Sequence, residues 1–168
     1  MKASILLTSF WLGLTLTALG QGQLNFNNNA NTLITARNDL DPGSFYFQAE
    51  RPILPNTNPP SSTFIIALFV APQNTPAPTG VGDPNWQFVA KYATNSPSPV
   101  GSGRLQNPGT PSISGYPAGS TVNLIVRGWS ASLGYDWPAV LNSLAIGADS
   151  FYFGTSALAV NAITSGGT

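Results

Sequence analysis

The chain contains no cysteine and no histidine, and only 7% of its 168 residues are charged. Without cysteine there are no disulfides, no thiolate nucleophile and no thiolate metal site. Without histidine there is neither imidazole acid–base catalysis nor the commonest zinc ligand. Six Lys and Arg balance six Asp and Glu, giving a formal net charge of zero. Phosphate neutralisation needs a basic footprint, so a nucleic-acid partner is not expected. So few charges also argue against a charged disordered tail. Glycine and proline are abundant instead, 17 and 15 residues, but the glycines follow no three-residue period and collagen is excluded.

The N-terminus carries the plainest functional signal. Met1-Lys2 forms a short positive start, and an uncharged apolar run extends from Ile5 to Leu19. It ends in Ala18-Leu19-Gly20, with small residues at the positions a signal peptidase reads. The run is shorter than the roughly 20 residues that span a bilayer as a helix. Residues 1–20 are therefore predicted to be a cleaved secretory signal, touching the membrane only in transit. Residues 21–168 are predicted to form one secreted or cell-surface domain. After export, a domain without cysteine must be held by packing alone.

The body of the chain reads as short strands punctuated by proline and glycine. Leu24 and Phe26 alternate with polar residues, as in a half-buried strand, and Thr32–Ala36 and Phe45–Gln48 follow. Thr63–Ala71, TFIIALFVA, is apolar on both faces and predicts a central strand in a covered sheet. Trp86–Tyr92 has Trp86, Phe88 and Ala90 facing one way. Thr121–Ser130 places Val122, Leu124 and Val126 on one face and Ile125, Arg127 and Trp129 on the other. Ser150–Phe153 and Ala157–Ile163 complete the strands. Pro52–Ser62, Pro72–Pro84 and Ser96–Gly119 read as loops or edge connections, because proline cannot donate to a ladder. One short helix is expected over Asp136–Ser143, capped by Asp136 and opened by Pro138. The predicted fold is all-β: an antiparallel β-sandwich, jelly-roll or immunoglobulin-like, with one short helix.

The segment Gly22-Gln23-Leu24-Asn25-Phe26-Asn27-Asn28 resembles the start of many exported proteins of Verrucomicrobia and related bacteria. Those proteins place a "G-x-hydrophobic-x-F-x-N" strand after a signal peptide. Ile66-Ala67-Leu68-Phe69-Val70-Ala71-Pro72, Pro117-Ala118-Gly119 and the run from Val126 through Trp129 to Gly134 resemble their later elements, in the same order. Members commonly end in a PEP-CTERM sorting tail. Here Ser165-Gly166-Gly167-Thr168 shows no such tail, so the resemblance implies a form whose tail has been lost or removed, or one that is released rather than sorted. The family is mostly uncharacterised, and the resemblance implies location and fold more than activity.

Candidate chemistry is sparse. Asp39, Asp41 and Glu50 stand at positions 1, 3 and 12 of a calcium-loop spacing, but Gly43 and Ser44 occupy the next ligand and glycine positions, and an Asx-rich turn is the preferred reading. No metal site and no cofactor are expected. A glycosidase would need two carboxylates across a bond, yet Asp39, Asp41, Glu50, Asp83, Asp136 and Asp149 each sit beside turn residues or at a helix start. Lys91 is the only lysine beyond the signal, and no Ser-x-x-Lys precedes it. The chain is therefore read as non-enzymatic. Asn27-Asn28-Asn29 and Asn31 read as a strand end breaking into a turn. The candidate ligand-binding residues are the aromatics Trp129, Tyr135 and Trp137. Trp129 is first read as core, and Tyr135 with Trp137 either closes one end of the sandwich or stacks on a sugar face.

Together these observations predict a structural or adhesive role in the cell envelope or extracellular matrix, with a carbohydrate-binding module as the alternative. Extracellular polysaccharide or envelope components would be the partners. N-terminal sequencing of secreted protein is expected to begin at or within a few residues of Gln21. Intact Met1 on soluble cytosolic protein would contradict export.

Overall fold

The computed structural model describes residues 20–29, 34–36, 51–52, 63–97, 103–147 and 151–166. The signal segment up to residue 19, the expected strand Phe45–Gln48, and Asp39, Asp41, Glu50 and Asp149 lie outside them. In chain order the elements are β1 (Gln21–Gln23), β2 (Thr35–Ala36), β3 (Arg51–Pro52), β4 (Phe64–Pro72), β5 (Gln87–Asn95), β6 (Leu105–Gln106), β7 (Ser112–Pro117), β8 (Thr121–Ser130), a 3-10 turn (Ala131–Leu133), helix α1 (Trp137–Ala145), β9 (Phe153–Thr155), β10 (Ala159–Ile163) and β11 (Ser165–Gly166). All strand pairs are antiparallel. A six-stranded sheet runs β10-β8-β4-β5-β6, with β9 beside β10 on the outer edge of β8. A three-stranded sheet, β11-β1-β7, packs on one of its faces, and β2 pairs with β3 apart from both. The fold is a β-sandwich with one short helix.

The seam of the large sheet is the β4–β8 ladder, paired without interruption from Phe64 opposite Ser130 to Pro72 opposite Val122. Because side chains alternate across a strand, β4 feeds two cores. Ile66, Leu68 and Val70 join Val122, Val89 and Ala93 beneath the small sheet, which contributes Leu24, Phe26 and Ile113. Ile65, Ala67, Phe69 and Ala71 join Ile125 and Trp129 on the opposite face, covered by Trp86, the 3-10 turn and Val140 of α1. The apolar run of β4 is thus covered on both faces, and the two faces of Thr121–Ser130 divide as the sequence predicts.

Several details differ from the sequence reading: β1 ends at Gln23, before Leu24 and Phe26, and the strand expected over Ser150–Phe153 appears as β9 at Phe153–Thr155. Ser96–Gly119, read as loop or edge connection, contains β6 and the six-residue β7, whose Ile113 is fully buried. Pro111 and Pro117 obscure this strand in the sequence. They are tolerated because, among the described residues, β7 is an edge bonded only to β1. The strand expected over Trp86–Tyr92 is β5, running on to Asn95, and its simple alternation breaks at a bulge opposite Leu68 where Ala90 takes φ +53°. The helix is capped by Asp136 as expected, its side chain accepting from the Ala139 N–H at 2.8 Å, but runs on to Ala145, beyond the expected end at Ser143.

Gly22 lies in the middle strand of the small sheet. A Cβ there would stand 2.5 Å from the Thr164 hydroxyl oxygen and 2.9 Å from the Pro117 carbonyl oxygen. Thr164 is itself fixed, donating to Pro117 O at 2.8 Å while accepting from Ser120 N at 3.0 Å. Gly22→Ala is expected to lower the melting temperature by forcing these strands apart. Ile66→Ala, deep in the first core, is expected to cost about 2–5 kcal/mol in denaturant titration. A loss below about 0.5 kcal/mol, the scale of a neutral surface change, would contradict the placement.

Candidate functional site

The helix side of the large sheet holds the polar chemistry. Arg127 is the one charged residue buried among the described residues, at 2% exposure. Register explains its place: it stands in one row with Ala67 of β4 and Thr155 of β9, and Tyr92 of β5 lies beyond Ala67. Small Ala67 leaves space beside the arginine. The guanidinium carbon lies 4.8 Å from the ring centre of Phe69 and 5.0 Å from that of Trp137, within cation–π range.

Its hydrogen bonds go to backbone. Nη1 donates to the Val81 carbonyl and Nη2 to the Gly80 carbonyl at 3.1 Å, while the buried Nε–H has no partner among the described residues. Burial pushes the Arg127 pKa down, and the charge of Asp83 opposes that shift. No carboxylate forms an ion pair with this arginine among the described residues. Carbonyl dipoles and ring faces therefore offset its desolvation.

Asp83 acts on this site through the loop. One carboxylate oxygen accepts from Thr79 N at 3.1 Å and from the Thr79 hydroxyl at 3.3 Å. The other accepts from Asn85 N and Asn85 Nδ2, both at 3.0 Å. These bonds, led by the Asn85 and Thr79 backbone amides, hold its pKa below 3.8. They also shape the turn that presents the Gly80 and Val81 carbonyls. Buried Asn123 fixes the start of the same loop, donating to Thr75 O at 2.9 Å.

The three aromatic candidates do not share an exposed platform. Trp129 is fully buried, its indole N–H donating to the Gly134 carbonyl at 2.9 Å, so its faces serve the core. Trp137 is partly buried, 4.7 Å from Phe69 and 5.7 Å from Trp129 between ring centres. The Trp137 N–H donates to the Tyr92 hydroxyl at 2.7 Å, and burial pushes that phenol's pKa up. As the first helical residue, Trp137 is turned inward, whereas Tyr135 in the preceding loop is 60% exposed. Asp136 caps α1 and Asp83 staples a turn, the local roles that the sequence suggested for them.

Arg127 opens onto a cleft of about 330 Å3 lined by the segment 77–81 and by Thr155 and Ser156. Sequence reasoning assigned Arg127 to the Ile125–Trp129 face but did not select it. The available signal was a lone charge at an inward position of an otherwise apolar strand.

No protein-family model matches the chain, and no curated protein or solved structure matches it either.

The depressed pKa of Asp83 links the loop to acid. Its carboxylate contributes stability above the unfolded pKa, near 3.8, and loses it as pH falls through the lower folded value. Amide resonances of Thr79 and Asn85 are expected to titrate below pH 3.8 and to stay flat in Asp83→Ala. Titration that persists in the variant would mean another group controls the turn.

Proposed function

We propose that this is an exported, non-enzymatic β-sandwich protein with a structural or adhesive role in the cell envelope or extracellular matrix. The observation that carries the reading is the C-terminal edge of the large sheet. Val160 and Ile163 on β10 are 59% and 70% exposed. They lie in a run without a single charge from Ser150 to Thr168. Proteins that gain nothing from contact guard such edges with charge, and exposed apolar surface favours association. The bulge at Asn161, held by the Asn161 N–H donating to Asn123 Oδ1 at 3.3 Å, interrupts the ladder.

The signal-like N-terminus and the resemblance to exported PEP-CTERM-associated proteins support the location. The non-enzymatic reading is supported by a sequence without His or Cys and by the structural employment of Asp83 and Asp136. The carbohydrate-binding alternative keeps Tyr135 as its exposed ring.

Retention of the purified protein on isolated matrix material tests the proposal. Val160→Lys with Ile163→Lys is expected to preserve the melting temperature, both side chains being exposed, and to reduce retention to background. Unchanged retention would contradict adhesion through this edge.

A further inference from the structure

The cleft beside β9 has the chemistry of a ligand site distinct from the exposed aromatic ring and from the β10 edge. We propose that it binds a carboxylate, the acid group of a uronate sugar or of a small free acid, against the guanidinium of Arg127.

A guanidinium has five N–H donors in one plane, matched to a planar carboxylate. The Gly80 and Val81 carbonyls take one donor each from Nη2 and Nη1, and the Nε–H is buried without a partner. The cation is thus desolvated, incompletely bonded and, among the described residues, without a bound counter-charge. An anion arriving in the cleft would gain a charge-assisted hydrogen bond to a cation that is itself buried. The loop is already organised by Asp83, so ligand binding need not order it.

The remaining lining suits a polyhydroxylated acid. Hydroxyls of Thr79, Thr155 and Ser156 stand beside apolar Pro78 and Val81. The Thr79 and Ser156 hydroxyls donate to Asp83 and to Ala157 O, while the Thr155 hydroxyl has no partner among the described residues. The cleft volume of about 330 Å3 falls at the small end of the range, roughly 300–1,000 Å3, of small-molecule sites. This inference gives the carbohydrate-binding alternative a ligand chemistry, and it stands independently of adhesion through β10.

Thr155 provides the test because it is exposed and directly opposite Arg127 in the β8–β9 pair, on the same face of the sheet. Thr155→Glu would place a carboxylate from the protein itself beside the guanidinium. Calorimetric titration of the purified protein with glucuronate, acetate and glucose reads the site, with tryptophan fluorescence following Trp137 in parallel. Glucuronate is expected to bind saturably and glucose not at all. Thr155→Glu is expected to raise the melting temperature and weaken glucuronate binding by about tenfold or more, the scale of one charge-assisted hydrogen bond. Acetate binding as tightly as glucuronate supports a small free acid as the ligand, and tighter binding of glucuronate supports an acidic sugar. Absence of saturable binding by both acids, equal binding of glucose, or undiminished binding by a folded Thr155→Glu variant would each overturn the proposal. Retention on matrix material through β10 is read separately, so either proposal can fail alone.

Discussion

The β4–β8 seam is the constraint on which the rest of the molecule depends. Nine consecutive pairs fix the register between two strands that each feed both cores. A slip of one residue would exchange the two cores and carry Arg127 beneath the small sheet. In the observed register, the residues of β4 alternate between Ile66, Leu68 and Val70 on one side and Ile65, Ala67 and Phe69 on the other. Both sides then need a cover. The small sheet supplies one, and the 72–86 loop, the 3-10 turn and α1 supply the other. With no disulfide to hold these layers, hydrophobic burial and the ladder must do so.

That same register creates the one electrostatic problem of the core. Arg127 enters a layer of aromatic rings with no carboxylate among the described residues bonded to it. Its charge is met by the Gly80 and Val81 carbonyls and by the faces of Phe69 and Trp137. The loop that brings those carbonyls is in turn shaped by Asp83, which acts through Thr79 and Asn85. A bonded carboxylate on Arg127 would have closed the cleft chemically. Backbone carbonyls instead leave the cation able to receive an anion, at the expense of stability. Stability and binding capacity are therefore opposed at this residue, as is common at ligand sites.

Strong local chemistry was legible in the sequence. TFIIALFVA announces a strand covered on both faces, and alternation in Thr121–Ser130 sorts its side chains correctly between two cores. Asp136 before Trp137-Pro138 announces a helix start. Features set by distant partners were less legible. The edge strand β7 is obscured by Pro111, Gly115 and Pro117, and only its pairing with β1 makes it a strand. The bulge at Ala90 depends on the fit of β5 to β4. Trp137 looks like a loop aromatic until α1 docks and turns it toward Phe69. Arg127 is visible as an inward charge, but its carbonyl partners come from a proline-rich loop whose path no local pattern specifies.

The β-sandwich scaffold carries two surfaces, an uncharged apolar edge and a cleft floored by a buried cation. Both the aromatic layer and the cleft require Arg127 to be charged, buried and incompletely bonded within the folded domain. The Nε–H resonance of Arg127 in a 15N-labelled sample reports on this state. A resolved signal is expected, shifted by the Phe69 and Trp137 rings and slow to exchange with water, that moves when glucuronate is added. A signal averaged with the other arginines and exchanging at the rate of free guanidinium would show that the side chain is in solvent, and would contradict both the buried cation and the cleft built on it.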